Sequence, residues 1–208
     1  MQSWNGFSFF PTTTPSVTVT SDASGSFGCG AFSPPYGWFQ VTWPQSWQST
    51  HITVKELVPV VIAAAVWGPL WRGTHVLFRS DNMAVVGILQ KRTSTDPHIM
   101  HLLRCFVLYA AIYHFTYIAE HIAGNHNIAA DAISRNNIPL FHSLVPQVQP
   151  TPIPHAITHL LVDQRPDWGS PTWTALFTAS LPRGFQTQPG PSTCQAGAAT
   201  SPSATNSA

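Results

Sequence analysis

The stretch SVTVTSDASGSFGCGAFSPPYGWFQVTW (residues 16–43) sets the fold, because it predicts three consecutive strands. Its first segment, SVTVTSDA, alternates β-branched with polar residues and predicts a strand that ends at Asp22. The segments GSFGCGAF and WFQVTW follow, and glycine and proline turn signals lie between them. We therefore expect these two segments to be antiparallel hairpin partners in one sheet.

Helices and further strands alternate after these three strands. A helix is predicted from near Thr53 to Trp67, and HVLFRSD (75–81) has the near-continuous apolar pattern of a central strand. NMAVVGILQKR predicts a short helix, and Asp96-Pro97 begins a longer one. TYIAEHI and NIAADAISR predict the last strand and the last helix. This order predicts an α/β fold in which a five-stranded mixed sheet is flanked by helices.

The composition changes near residue 137, after which Pro, Ser, Thr and Gln dominate. We predict a lead-in over residues 1–15, a compact domain over 16–137, and a largely disordered, Pro/Ser/Thr-rich tail over 138–208. Within that tail, WGSPTWTALFTASL (168–181) has the apolar residues of a short amphipathic helix.

Composition limits the partners and the location that we expect. Only 8% of the residues are charged and the formal net charge is +1, so the basic footprint of a strong nucleic-acid binder is missing. Three cysteines without a CxxC pair, and a start without signal-peptide features, indicate an intracellular protein, cytoplasmic or nuclear. The most apolar run, residues 57–67, is shorter than the roughly 20 residues of a membrane span, so we expect a buried helix and no membrane.

Four of the eight acidic residues lie at or beside the ends of predicted elements: Asp22, Glu56, Asp81 and Asp131. Each alone has a simpler explanation. Asp22 suits a turn, Glu56 completes a capping box with Thr53, Asp81 suits a helix cap, and Asp131 suits a solvated helix face. Together they could share one sheet edge, where ligand sites of α/β sheets collect. Crowded carboxylates repel one another unless cations neutralise them, so the set suggests Mg²⁺ binding.

Four segments of the chain resemble ribonuclease H domains. SDASGSFGCGAF resembles their first strand and hairpin, ITVKELVPVVIAA their first helix with its Glu, and HVLFRSDNMAVV the strand with the second Asp. HIAGNHNIAADAISR resembles the closing segment of retroelement ribonucleases H, and its H-I-x-G-x-x-N-x-x-A-D-x-x-S-R pattern is typical of long-terminal-repeat retrotransposons. The phrases WPQSW, HITVKEL, SDNMAVV and MHLLRCF are most similar to DIRS-type (tyrosine-recombinase) retrotransposons, in which this domain follows the reverse transcriptase.

The resemblance implies a ribonuclease H-like fold that hydrolyses the RNA strand of RNA–DNA hybrids with two Mg²⁺ ions, or with Mn²⁺ in their place. By the family's pattern, the catalytic residues and metal ligands are Asp22, Glu56, Asp81 and Asp131. The substrate contacts that we expect are Ser24, Gly25, Asn82, His121 and Asn127. The implied partners are the hybrid and the reverse transcriptase domain of a parent polyprotein, and we expect this fragment to be a monomer.

Three departures from the family's pattern keep a second hypothesis open. The loop before the last Asp is short and leaves two candidates, His121 and His126, for the histidine that assists product release. Pro59 lies three residues after Glu56 and could kink the helix that carries it. The stretch between residues 90 and 101 supplies only two basic side chains, so no basic protrusion is evident. The alternative is a catalytically inactive retroelement remnant, or a module that binds nucleic acid or protein.

Other residue groups predict packing rather than chemistry. His98 and His101 have helical spacing, but no cysteine pair or third zinc ligand accompanies them. Trp38, Trp43 and Trp47 flank the hairpin strands and are expected in the core and at its edges, with stacking on nucleic acid as the alternative. A phosphate-binding G-x-x-x-x-G-K-[ST] loop is missing from the sequence, so an NTPase has no support.

Overall fold

The structure is a computed structural model, and it describes residues 14–158. Its strands are β1 (Val17–Ala23), β2 (Gly28–Ser33), β3 (Gly37–Thr42), β4 (His75–Ser80) and β5 (Thr116–His121). They form one five-stranded sheet in the order β3-β2-β1-β4-β5. β1, β2 and β3 pair antiparallel, whereas β4 is parallel to both β1 and β5. The predicted mixed sheet and the predicted antiparallel hairpin partners are confirmed.

Helices connect and cover these strands. They are α1 (Ile52–Trp67), α2 (Met83–Lys91), α3 (Pro97–Tyr113), α4 (Ile128–Ser134), α5 (Ile138–Leu144) and α6 (His155–Thr158). Short 3-10 turns span Gln45–Trp47, Gly68–Leu70 and Gly124–His126. The predicted fold class, a five-stranded mixed sheet flanked by helices, is confirmed.

Helix α1 is the central helix of the domain. Among the described residues, the segment Ile52–Leu70 is long and apolar enough to cross a membrane, but 83% of its most apolar window is buried inside the domain. This burial agrees with the predicted core helix. The helix continues without interruption through Pro59, so the ring does not end the element that carries Glu56.

Two of the simpler explanations for the acidic residues are wrong, because other residues cap the helices. The His51 ring accepts a hydrogen bond from the Thr53 amide at 3.2 Å, so α1 begins one residue earlier and Glu56 lies inside it. The Asn82 side chain accepts from the first amides of α2, so Asp81 does not cap that helix. Both acids are thereby available for other contacts.

The packed chain continues past residue 137, where the predicted domain ends. Phe141 of α5 is fully buried, and its cluster also contains Ala132, Ile133 and Val148. The following segment lies along β3, where the Trp38 amide donates to the Gln149 carbonyl at 3.0 Å. Packed structure therefore extends to residue 158. The rest of the predicted tail, including the helix expected at 168–181, lies outside the described residues.

The hairpin tryptophans pack inside the domain. Trp43 and Trp47 are buried, and their rings stack with centroids 5.3 Å apart. Trp38 contacts Phe141 with a centroid distance of 5.2 Å. The packing prediction is confirmed for these three rings.

Candidate metal centre

Three of the four predicted acids converge at one edge of the sheet. Asp22 lies near the carboxyl end of β1, Asp81 directly follows β4, and Glu56 projects from the second turn of α1. β1 and β4 are parallel neighbours, so their carboxyl ends meet at the same edge. One carboxylate oxygen from each of the three residues lies within 4.8 Å of the others.

Asp22 is buried and held by two neutral donors. The Ser134 hydroxyl donates to its Oδ2, and the Asn127 side-chain amide donates to its Oδ1 at 3.4 Å. Burial is the main cause that raises the pKa of Asp22 from 3.8 to about 6. The hydrogen bond from Ser134 opposes this shift, and the negative charges of Asp81 and Asp131 add to it. The Asp22 side chain therefore has a fixed orientation but an incompletely neutralised charge.

Glu56 is the most perturbed acid of the site. It is 5% exposed, and its Oε2 is buried without a hydrogen-bond partner among the described residues. The pKa of Glu56 is raised from 4.5 to about 9, mainly by burial and also by the negative charges of Asp22 and Asp81. The backbone of Ala23 lowers it through a hydrogen bond. A carboxylate in this position is stable only with a proton or a cation beside it.

Asp81 stands at the rim of the cluster and is half-buried. The His121 ring Nε2 donates to its main-chain carbonyl at 3.1 Å, which links the ends of β4 and β5. A Cβ added to Gly124 would lie 3.4 Å from Asp81 Oδ2, so this loop passes close to the carboxylate.

Asp131 lies beside the cluster but has a different partner. It is half-buried on α4, and its Oδ1 accepts from Arg135 Nε at 2.5 Å. It is not among the three acids whose oxygens meet within 4.8 Å, although its charge acts on Asp22 and Glu56. The Arg135 side chain is 65% exposed, so this ion pair is solvated and weak. A solvated helix face was the simpler explanation for Asp131, and the structure adds the ion pair with Arg135 to it.

Helix α4 packs closely against the sheet. This packing brings Asp131, and the two residues that donate to Asp22, to the site. A Cβ added to Gly30 of β2 would lie 2.2 Å from the Ile133 side chain, so only glycine permits this approach. The Gln40 side chain donates to the Ile133 carbonyl from β3. Backbone approach and one side-chain hydrogen bond thus fix α4 on the strands.

The residues predicted to contact substrate occupy different environments. Ser24 is buried, and its Oγ accepts from the amides of Phe27 and Gly28, closing the β1–β2 turn. Gly25 is exposed at the tip of that turn, and its Cβ position opens to free space. Ser24 therefore shapes the turn, whereas Gly25 is accessible.

The other residues predicted to contact substrate or assist its release also divide into accessible ones and ones whose side chains have a partner within the protein. Asn82 is half-buried and caps α2 through its Oδ1, and His121 is exposed at the end of β5. His126 is exposed in the loop before α4. Asn127 is 1% exposed and bonds to Asp22, so its side chain serves the metal centre. Ser134 was missed, although the S of the A-D-x-x-S-R pattern marks its position.

The donor set fits a divalent metal ion. The cluster offers three hard carboxylate oxygens, two of its acids are buried, and the orphaned Glu56 Oε2 lacks any protein donor among the described residues. Carboxylates at this spacing are the ligands that Mg²⁺ and Mn²⁺ take. A cation would neutralise the negative charges whose repulsion adds to the effect of burial on the pKa values of Asp22 and Glu56.

No family model matches the sequence, and the search of curated proteins also gives no match. Solved structures do match. Ribonuclease H1 from the archaeon Halobacterium salinarum is 12% identical, with 59% of this chain and 97% of that chain covered and a TM-score of 0.45. The N-terminal ribonuclease H domain of a Mycobacterium tuberculosis protein is 17% identical, with 58% and 96% covered and a TM-score of 0.44. LC11 ribonuclease H1, solved in complex with an RNA/DNA hybrid, is 14% identical, with 60% and 99% covered and a TM-score of 0.43.

Proposed function

We propose that this chain is a metal-dependent endoribonuclease that hydrolyses the RNA strand of RNA–DNA hybrids. The observation that carries the proposal is the convergence of Asp22, Glu56 and Asp81 within 4.8 Å at one sheet edge. The closing segment HIAGNHNIAADAISR supports it, because its Asn127 and Ser134 donate to Asp22 and the charge of its Asp131 acts on Asp22 and Glu56.

Asp22, Glu56 and Asp81 would hold the first of two Mg²⁺ ions, for which Mn²⁺ could substitute. Asp131 would join Asp22 and Asp81 at the second ion by exchanging its exposed partner Arg135 for the metal. Such a pair of ions supplies an activated water and stabilises the leaving oxygen of a phosphodiester. Ser134 and Asn127 hold Asp22 in one orientation throughout.

The exposed groups around the cluster would contact the hybrid. Gly25 follows Asp22 on the β1–β2 turn, Asn82 follows Asp81 at the start of α2, and the His121 ring bonds to the Asp81 carbonyl. An RNA strand is distinguished from DNA by its 2′-hydroxyls, which small polar groups and backbone amides can reach in the minor groove. His121 or His126 would assist release of the cleaved strand.

We also propose that the parent protein is the polyprotein of a DIRS-type retrotransposon that acts inside the cell. The support is the set of phrases WPQSW, HITVKEL, SDNMAVV and MHLLRCF. In that setting the domain would work beside a reverse transcriptase, which would supply the affinity for nucleic acid that a net charge of +1 does not.

A cleavage assay on an end-labelled RNA–DNA hybrid tests the activity. We expect Mg²⁺-dependent cleavage by the wild type and none by Asp81→Asn. Asp96→Asn is the matched control, because Asp96 caps α3 away from the cluster and asparagine caps equally well. Wild-type cleavage that persists in Asp81→Asn, or no cleavage by the wild type, would reject the proposal. Hybrid binding without cleavage would favour the inactive binding module.

A further inference from the structure

Side chains of other elements form hydrogen bonds to the turn between β1 and β2, residues 24–27. The carbonyl oxygens of its first three residues each accept a hydrogen bond from one side chain. The donors to residues 24, 25 and 26 are, in that order, Trp43 Nε1 at 2.8 Å, Lys55 Nζ at 2.5 Å and Gln48 Nε2 at 3.1 Å. Three consecutive carbonyls of the turn are thereby fixed directly after Asp22.

Lys55 is at the centre of this arrangement. It is 1% exposed, although lysine is among the residues that are least often buried. Its Nζ also donates to the Gln48 carbonyl at 3.4 Å and lies 5.9 Å from the centroid of the Trp43 ring. The residue precedes Glu56 on α1, so one short segment reaches both the turn and the acid cluster.

Peptide planarity determines where the amides of the turn point. In a trans peptide the C=O of one residue and the N–H of the next point in opposite directions. The carbonyls of Ser24 and Gly25 point inward to their donors, so the amides of Gly25 and Ser26 point away from Trp43 and Lys55. Gly25 and Ser26 are exposed, and neither amide has an acceptor among the described residues.

The next amides of the same turn are used internally. Those of Phe27 and Gly28 donate to Ser24 Oγ at 3.0 and 2.9 Å. Successive unpaired amides in a turn form a concavity that binds oxygen atoms of anions. The two outward amides are therefore the donors that the turn presents to a ligand beside the acid cluster.

We propose that Lys55, assisted by Trp43 and Gln48, is a positioning residue for nucleic-acid binding. It holds the turn so that the Gly25 and Ser26 amides donate to backbone oxygens, phosphate or ribose, of the bound hybrid. This inference rests on the proposed function for the identity of the ligand. It assigns Lys55 no direct contact with the substrate and no part in metal binding.

A binding assay tests this role in the full chain. It follows the fluorescence anisotropy of a labelled RNA–DNA hybrid and uses the Asp81→Asn variant, so that the hybrid is not cleaved. Gln48→Leu removes one turn donor from an exposed side chain, and Lys55→Met removes the central one while keeping the buried stem. We expect each change to weaken binding roughly fivefold, the effect of one lost hydrogen-bonding group. Gln45→Leu is the matched control, since Gln45 is an exposed neighbour whose side chain does not reach the turn.

Steady-state kinetics should distinguish a loss of substrate binding in these variants from a general loss of stability. In the chain with its aspartates intact, we expect KM for the hybrid to rise about fivefold in Gln48→Leu while kcat stays unchanged. Circular dichroism melting checks the fold of Lys55→Met, and Gln48→Leu keeps the test valid if that variant unfolds. Binding equal to that of Gln45→Leu would overturn the inference and leave the proposed function intact. If the wild type never cleaves the hybrid but the variants bind it more weakly, the inference is supported and the proposed function is rejected. If the wild type does not bind the hybrid, both are rejected.

Discussion

The four candidate metal ligands fall into two pairs in different surroundings. The buried pair, Asp22 and Glu56, is about 5% exposed, and burial raises both pKa values. The rim pair, Asp81 and Asp131, is half-buried and lies within reach of solvent. Asp131 has an arginine partner, whereas within residues 14–158 the buried pair has neutral donors and one oxygen without a partner.

This difference indicates separate tasks for the two pairs. The buried pair cannot keep two negative charges without a cation, so we expect it to determine whether a metal ion binds at all. Of the rim pair, Asp81 belongs to the three acids that converge, whereas Asp131 has an exposed arginine partner that it can exchange. We therefore expect Asp131 to adjust how a metal ion is held rather than to decide whether it binds. The following predictions test that division.

The largest expected effect is on catalysis, and it separates the pairs. Asp22→Asn removes a buried ligand, so we expect activity to fall by roughly 10³-fold or more. Asp131→Asn removes the acid that lies outside the three converging acids, and we expect a loss of roughly tenfold, because water can replace an exposed ligand. Single-turnover cleavage at saturating Mg²⁺ measures both. Equal losses in the two variants would contradict the division.

The second effect concerns the packing that supports both pairs through α4. Phe141 is fully buried under α4, and Phe141→Ala is expected to lower the free energy of unfolding by about 3–5 kcal/mol. Urea denaturation measures it. Leu140→Ala is the control, since that neighbour is 37% exposed, and its change should be small. A small change for Phe141→Ala would show that residues after 137 do not stabilise the domain.

A third prediction concerns the donors behind the buried pair. Ser134→Ala leaves Asp22 without its Oδ2 donor, and we expect Mg²⁺ affinity to fall by roughly 10–100-fold, as for other partners of metal ligands. Titration calorimetry measures the affinity directly. Ser143→Ala is the control, because Ser143 is exposed on α5 and bonds only to the Leu140 carbonyl. Unchanged affinity in Ser134→Ala would remove this residue from the site.

The smallest expected effect is on the pH dependence of the metal-free protein. The pKa of Glu56 rises from 4.5 to about 9 on folding, so between these values the unfolded chain holds fewer protons than the folded one. The free energy of unfolding therefore falls as pH rises through this window. We expect Tm in EDTA to fall by a few degrees more in the wild type than in Glu56→Gln, and Mg²⁺ to restore it. A wild-type Tm that falls no faster than that of Glu56→Gln would contradict the burial of this charge.

The sequence predicted the sheet well because its signals are local. The alternation of SVTVTSDA and the apolar run HVLFRSD fixed β1 and β4, and the turn signals fixed the hairpins. Helix starts were less certain, since the sequence suggests Thr53 as the cap of α1, whereas the hydrogen bond of the His51 ring places the cap at His51 and Thr53 inside the helix. The sequence assigns residues 138–158 to the tail because Pro, Ser, Thr and Gln dominate after residue 137, although the buried Phe141 anchors this segment to the domain.

The site was predictable only in part. The strand ends and the ribonuclease H resemblance identified the acids, and three of them meet. Their different surroundings depend on contacts across more than 100 residues of chain, such as that between Asp22 and Ser134, which no local pattern encodes. The role of Lys55 was hidden for the same reason, because its acceptor lies 30 residues away.

The position of a bound metal ion tests the central claim most directly. Crystals of the full chain soaked in Mn²⁺ and measured at the manganese edge would reveal the ion by its anomalous signal. We predict a peak coordinated by Asp22, Glu56 and Asp81, which is lost in Asp22→Asn. An empty cluster at saturating Mn²⁺, or an ion bound only by other residues, would contradict the metal centre and the nuclease function proposed for it.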